Sequence, residues 1–409
     1  MRKLRRTLLV TGMTVAFSAG VLQGQTNSFT LTIDPPVNGK VQVSPPPTAD
    51  GKYAAGTVVT LTTTPDPGFA LDSAYYSVRG RFGQMYHEGM TQDLKVMVDQ
   101  DKRVGASFIE ASAVDHINVT NDVVYAKPGL KTLKYDVYSP KGARNLPCIV
   151  IIHGGGWNAN DEDIMRGLVR ELTKGGTFVV FSIDYRWSEK ADGDATNNTM
   201  ANLLEDVFGA IAHIMEHAPQ YGGDPTRIGL TGDSAGGHLS AAASLMPNMI
   251  GAGGFGKTPG VFEFMPSYLP MNKTIEQVRS EMTRAIKAAA PSYGVFAAAN
   301  LNHYSESPSA DASWKDAIAP LNHIPNATER AVPQYLTRGT RDNLIKDTDV
   351  ADFVNALVKA GQRVEYVQVG GAGHAFFDWK PNAQTKATFA RFGVYYAAEM
   401  KAFFTSVLY

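Results

Sequence analysis

The chain divides by the period of its apolar positions. From residue 27 to about 110, apolar and polar residues alternate in short runs: Phe29-Thr30-Leu31-Thr32-Ile33, Val41-Gln42-Val43, Val58-Val59-Thr60-Leu61-Thr62 and Leu94-Lys95-Val96-Met97-Val98. A period of two puts one set of side chains on one face of a strand. Turn formers separate the runs, among them Asn38-Gly39, Asp50-Gly51 and Pro65-Asp66-Pro67-Gly68. A small all-β module without a cluster of catalytic residue types is predicted here, and residues 111 to about 122 read as a connection.

From Val123 the pattern changes. Short β-rich runs at 123–126, 133–138, 148–152, 178–185, 227–230, 285–292, 334–337 and 364–369 alternate with helical segments such as 164–174, 199–217, 236–245 and 348–360. Strands alternating with helices of ten to twenty residues predict an α/β domain over 123–409, with a mostly parallel sheet covered on both faces. The run Cys148 to Ile152 is apolar throughout, as a central strand buried on both sides requires. An insertion at about 247–283 departs from a minimal domain. It holds Phe255, Phe262, Phe264, Met265 and Tyr268, then a predicted helix over 274–284. Two readings are open: a cap that lays these aromatics over a site, or a surface excursion that packs them on a small core of its own.

Composition adds little to this picture and excludes some partners. A net charge of −1 over 409 residues provides no basic excess to hold nucleic acid or an anionic membrane surface. Residues 1–24 read as a signal peptide: a cationic start, an apolar stretch from Leu8 to Phe17, then Ser18-Ala19-Gly20 as a small-x-small cleavage pattern. The apolar stretch is about half of what spans a bilayer. The expectation is export to a secreted or periplasmic location with no membrane span in the mature chain; an uncleaved anchor is the alternative. The single cysteine, Cys148, lies in the buried apolar run and reads as a small core residue. No metal or organic cofactor is implied, and nothing in the sequence fixes an oligomeric state.

The candidate chemistry centres on Gly232-Asp233-Ser234-Ala235-Gly236, which follows an apolar strand and precedes an alanine-rich helix. A sharp strand-to-helix turn that lifts a serine hydroxyl clear of a sheet leaves no room for side chains two residues either side. Such a serine needs a base, an acid to orient the base, and donors for an oxyanion. Asp342 follows the predicted strand 334–337, and His374 follows the strand 364–369, so both fall on the rim that carries Ser234. Asp347 and Asp349 are the neighbouring alternatives for the acid. The run His153-Gly154-Gly155-Gly156-Trp157 follows the buried strand, and the N–H groups of Gly155, Gly156 and Ala235 are the candidate oxyanion hole. Trp157, Phe376 and Phe377 are the candidate substrate-binding aromatics, with Trp187 and Trp379 nearby in the sequence pattern. Two patterns read as decoys. His213-Ile214-Met215-Glu216-His217 fits H-x-x-E-H but sits on the helix before the Ser234 strand, and His238 points along its own helix.

With these motifs in this order, residues 123–409 resemble the α/β-hydrolase superfamily, and within it the HGGG-type bacterial carboxylesterases, meaning the hormone-sensitive-lipase-like and feruloyl-esterase-like groups. The resemblance also takes in Asp184-Tyr185-Arg186 and Tyr221-Gly222-Gly223-Asp224-Pro225. It implies Ser234 as nucleophile, His374 as base and Asp342 as orienting acid, acting on a small-molecule ester or an acylated polysaccharide. Two departures, Trp187-Ser188 after Arg186 and the insertion, bear on the substrate. Separately, residues 27–110 resemble the internalin-type B-repeat through their GKV-x-V-x-P strand, AAGTVVTLTTTPDPGF segment and DQDKRVGASF strand. Display, attachment and stabilisation are all open as the role of that module. The expectation is a secreted serine ester hydrolase removing feruloyl or acetyl groups from plant polysaccharide. A general small-ester carboxylesterase and an arylformamidase-type amide hydrolase are the alternatives.

Overall fold

The computed structural model describes residues 27–80, 83–188, 198–251, 264–301 and 313–409; the signal-peptide reading of 1–24 lies outside them. Its centre is one eight-stranded sheet made of β1 Ile117–Ala126, β2 Leu133–Pro140, β3 Leu146–Ile152, β4 Val179–Ile183, β5 Gly223–Asp233, β6 Ile286–Ser292, β7 Gln334–Gly339 and β8 Val364–Val369. The order across the sheet is β1-β2-β4-β3-β5-β6-β7-β8. β1, β2 and β4 pair antiparallel, and every pairing from β4 onward is parallel. This is the α/β-hydrolase fold. β4 is buried throughout, and β3 from Pro147 onward, because helices cover both faces, so they need no polar alternation. Cys148 is one of these fully buried residues.

The covering helices are α1 Arg166–Thr173, α2 Met200–His217, α3 Ala235–Leu245, α4 Ile275–Ala285, α5 Asp347–Lys359 and α6 Val394–Leu408. α2 and α4 begin on threonine capping boxes, Thr199 with Asn202 and Thr274 with Gln277, which satisfy N–H groups that the first turn leaves unpaired. One boundary differs from expectation. β1 begins at Ile117, inside the stretch read as a connection, and its pairing with β2 is broken by register shifts around Asn121 and Asp122. A polar, bulged sequence is what a sheet edge tolerates, and it hides the strand from a period-two reading.

The described ends of the insertion favour the surface excursion over the cap. Phe264 is fully buried against Phe208 of α2, and Tyr268 packs on His213 of the same helix. Met265 N and Ser267 N donate to the Glu205 carboxylate and carbonyl. Phe255 and Phe262 lie outside the described residues.

Residues 28–110 form a four-stranded sheet (Leu31–Ile33, Lys102–Glu110, Phe69–Gly80, Gly83–Gly89), a three-stranded sheet (Gly39–Ser44, Thr57–Pro65, Asp93–Val98) and a two-stranded ribbon. The alternation along Thr57–Pro65 turns Val59 and Leu61 inward, where they meet Val96, Val98, Val104 and Tyr53 in a core separate from that of the large sheet.

The module joins the hydrolase domain through buried charge. Asp72 and Glu88 enter the base of α1: Asp72 accepts from Arg170 Nη1 (2.9 Å) and faces Arg166 Nε (3.5 Å), and Glu88 pairs with Arg166 Nη2. All four side chains are at least nine-tenths buried. Burial raises the carboxyl of Asp72, but Arg166, Arg170 and Lys386 outweigh it and hold Asp72 well below the usual carboxylate range. Glu88 has one close cation, so burial wins and its carboxyl is pushed up. Breaking a buried pair by removing one partner strands the other charge and costs about 3–5 kcal/mol. Arg166→Met, which keeps most of the side chain's length, should therefore lower the unfolding free energy of the full chain, extrapolated from urea titrations, by an amount in that range, whereas Lys174→Met on the exposed Glu171 pair should leave it nearly unchanged.

Candidate active site

Ser234 stands at the junction of β5 and α3 with φ 53° and ψ −114°, a left-handed conformation costing about 1–3 kcal/mol that the surroundings must impose. They do so by close approach. A Cβ on Gly236 would lie 1.9 Å from the Ile152 carbonyl oxygen, and one on Gly232 would lie 2.4 Å from the same atom. Neither position can take a side chain without moving β3. The Ser234 N–H donates to the Ser292 carbonyl at the end of β6 (2.9 Å), which ties the turn to the next strand.

Three side chains from three strand ends meet here. His374 Nε2 lies 2.9 Å from Ser234 Oγ, and His374 Nδ1 lies 2.8 Å from Asp342 Oδ2. A carboxylate only accepts, so Nδ1 carries the proton and Nε2 is free to accept from the serine hydroxyl. The other oxygen of Asp342 accepts from Leu344 N (2.8 Å) and Ile345 N (2.9 Å). Burial raises the Asp342 carboxyl, yet the His374 hydrogen bond and charge, with those two N–H groups, bring it below its ordinary value. Asp347, the neighbouring alternative, instead accepts from Tyr366 and Gln368 on β8. His374 and Ser234 are half-buried, so the relay is open to a ligand.

The glycine loop is held from behind. Asp233 Oδ1 accepts from Gly154 N (2.7 Å), Tyr185 Oη donates to the His153 carbonyl (2.9 Å), and the His153 ring stacks on Tyr185 at 4.2 Å. Gly155, Gly156 and Trp157 then run through φ of 119°, 60° and 63°, a curled main chain whose N–H groups are not used by a strand. Ala235 opens α3, where the first N–H groups have no partner within the helix. Asp233 and Tyr293 are site-supporting residues the motif reading missed. Asp233 is adjacent to Ser234 and was legible in principle; Tyr293, which packs on His374 at 4.8 Å, carries no sequence signal.

The aromatic expectations need correction. Trp157, Phe376 and Phe377 are 2%, 0% and 0% exposed, so none of them lines an open surface for substrate. Trp157 donates through Nε1 to His238 Nδ1 (3.2 Å), and the two phenylalanines pack on Tyr293 beneath His374. A loop that turns a histidine outward at residue 374 turns the next large apolar side chains inward, where burial favours them. Trp379 belongs to the module contact. Trp187 remains half-buried, with its Nε1 on the Asn160 carbonyl (2.8 Å).

Other titratable clusters are already engaged. His213 Nδ1 meets Tyr135 Oη (2.9 Å), and Glu216 accepts from Tyr268 Oη (2.5 Å), so the H-x-x-E-H pattern serves packing on α2. Asp122, Asp136 and Glu162 offer oxygens within 4.8 Å of one another, but Lys134 bridges Asp122 and Glu162 and supplies the cation. A cavity of about 580 Å³ is lined by Met215, Arg227, Lys273, Arg284 and Lys287 and contains none of the Ser234 residues.

A fold of this order with a serine, histidine and aspartate on its strand ends defines an α/β hydrolase. The chain belongs to the BD-FAE family, which matches residues 135–357 and so takes in β2 to α5, within the hormone-sensitive-lipase-like α/β hydrolases. It is similar to carboxylesterase NlhH of Mycobacterium tuberculosis, at 35% identity over 30% of this chain and 37% of that protein. It is also similar to the probable carboxylic ester hydrolase LipM of the same species, at 29% identity over 56% of this chain and 49% of that one. The match therefore spans less than half the length of these curated relatives. Among solved structures, Thermogutta terrifontis esterase 2 phosphoramylated by tabun superposes with a TM-score of 0.50 at 25% identity, over 70% of this chain and 96% of that chain. A truncated carbohydrate esterase from gut microbiota superposes at 0.52 with 23% identity, over 71% and 95%, and shares the fold.

His238 yields a pH prediction. Its Nδ1 accepts from Trp157, its Nε2 donates to the Ile318 carbonyl (3.0 Å), and burial lowers its pKa to about 4. The unfolded chain takes up this proton near pH 6.5 and the folded chain only near 4, so protonation favours unfolding across that window and stability falls as pH drops through it. Denaturant titrations between pH 6.5 and 4 should show a slope that His238→Gln makes shallower by up to one proton.

Proposed function

We propose that the protein is a serine carboxylic ester hydrolase working through an acyl-enzyme. The relay Asp342–His374–Ser234, with contacts of 2.8 and 2.9 Å, carries this reading. His374 takes the Ser234 proton as Oγ attacks an ester carbonyl, and Asp342 holds the imidazole in the tautomer that can accept. The N–H groups of Gly155, Gly156 and Ala235 are assigned to the oxyanion, a role supported by the curled loop and the open helix start. His374 then protonates the departing alcohol, and water repeats the sequence on the acyl group. The similarity to carboxylesterases, and to an esterase phosphoramylated by tabun, supports an ester as substrate.

For the substrate class we infer the removal of feruloyl or acetyl groups from polysaccharide outside the cytoplasm. Family membership and the signal-like segment at 1–24 support this reading. The test is a single panel: acetyl-xylan, methyl ferulate, N-formylkynurenine and a p-nitrophenyl ester series. Turnover of the polysaccharide or ferulate ester above the simple esters supports the substrate class, equal turnover of short p-nitrophenyl esters alone points to a general carboxylesterase, and activity on the formamide alone overturns the ester reading. Ser234→Ala and His374→Ala should each lower kcat by about 10⁴ to 10⁶ while leaving the fold intact by circular dichroism. Ester cleavage that survives Ser234→Ala removes the nucleophile assignment.

A further inference from the structure

The loop carrying His374 runs from the end of β8 at Val369 to Trp379, and the β module grips its far end. Near β8, Gly371 N donates to Thr340 Oγ1 (2.8 Å) and Arg341 N to the Ala372 carbonyl (2.9 Å). Beyond His374, Phe377 N donates to Tyr293 Oη (3.2 Å) and Trp379 N to the Ile164 carbonyl (2.9 Å). Those contacts fix the main chain. The Trp379 side chain is held from the module, its Nε1–H donating to Asp72 Oδ2 (2.8 Å). Arg170 lies 4.3 Å over the indole, Lys386 lies 5.3 Å from it, and Phe389 meets its edge at 5.4 Å. Asp72 is 2% exposed and is fixed in turn by Arg170 Nη1 and by Ser107 Oγ (2.9 Å each).

Two lines lead from this grip into the site. Along the chain, only four residues lie between His374 and Trp379, and the Ala375 turn (φ 62°) with Asp378 N on the Ala375 carbonyl (3.2 Å) makes them a short, stiff connection. Across space, Asp378 pairs with Lys380 (3.1 Å), and its charge bears on buried Asp233, the acceptor for Gly154 beside Ser234. A module attached for display alone requires no buried carboxylate seated on the catalytic loop.

We propose that the β module is a positioning element of the active site: Asp72, through the Trp379 indole, sets the exit of the His374 loop and thereby the His374–Ser234 distance. Asp72 and Trp379 touch no reacting atom, so their effect falls on kcat rather than on substrate affinity. The kinetic half of this inference rests on the hydrolase reading, and the structural half does not.

The test uses the full chain with Trp379→Phe, which deletes one N–H donor and keeps a ring for Arg170 to cover, and Asp72→Ala as the stronger change. Hydrogen exchange over residues 370–380 is read together with kcat and KM on a p-nitrophenyl ester. In Trp379→Phe, kcat should fall about tenfold with KM within about twofold, as expected for a misplaced catalytic group. Exchange over 370–380 should rise while the central strand 148–152 stays protected. Should Asp72→Ala fail to fold, Trp379→Phe alone decides. An active enzyme in which either kcat or loop exchange is unmoved by Trp379→Phe overturns the proposal. A wild-type chain inert on every ester, with loop exchange still rising in the variant, overturns the hydrolase reading and leaves the positioning intact; unmoved exchange in an inert chain overturns both.

Discussion

The structure depends on how close β3 comes to the turn after β5. With the Ile152 carbonyl 1.9 Å from where a Gly236 Cβ would sit, no side chain fits at either flank of the serine. The bare backbone at those two glycines lets α3 start directly against the sheet, and this forces Ser234 into its left-handed conformation. From that one constraint the rest follows: the hydroxyl comes within 2.9 Å of His374 Nε2, α3 starts at the next residue, and the glycine loop after β3 lies alongside. Asp233 then uses its carboxylate to hold Gly154, which joins the Ser234 turn and the glycine loop into one unit.

Much of this was legible because each element states its chemistry locally. The continuous apolar run at 148–152 announces a strand buried on both faces, and it is one. The glycines around Ser234 announce a turn that excludes Cβ atoms, and the two aligned strand ends place Asp342 and His374 on one rim. What failed to show depends on long-range packing. The outward turn of His374 decides that Phe376 and Phe377 point inward, and nothing in a run of two phenylalanines separates a substrate wall from a core. Tyr293 is invisible for the same reason. The strand at 117–126 hides because an edge with a bulge has no need of regular alternation.

The module shows the limit of reading segments one at a time. Asp72 lies in Phe69–Gly80, between the apolar Phe69-Ala70-Leu71 and Ser73-Ala74, and nothing next to it in the chain names a partner for a single acid. Its partners, Arg166, Arg170 and Trp379, are about 90 to 300 residues away in the chain. Only the fold brings them together, and a charge with no sequence-local partner is the kind of feature that period and motif cannot reveal.

The two carboxylates of that contact also show why it is directional. Asp72 faces three cations and stays ionised; Glu88 faces one and is pushed toward its neutral form by burial. A contact built only for adhesion would be served by apolar side chains at less cost, since desolvating charges offsets most of their attraction. Charge demands angle and distance where apolar packing tolerates sliding. Asp72 fixes Arg170 and the Trp379 indole at once, so the strand it sits on, the first helix of the hydrolase domain and the end of the histidine loop share one geometry. The module is thus placed where its orientation, rather than its mere attachment, bears on the loop that carries His374.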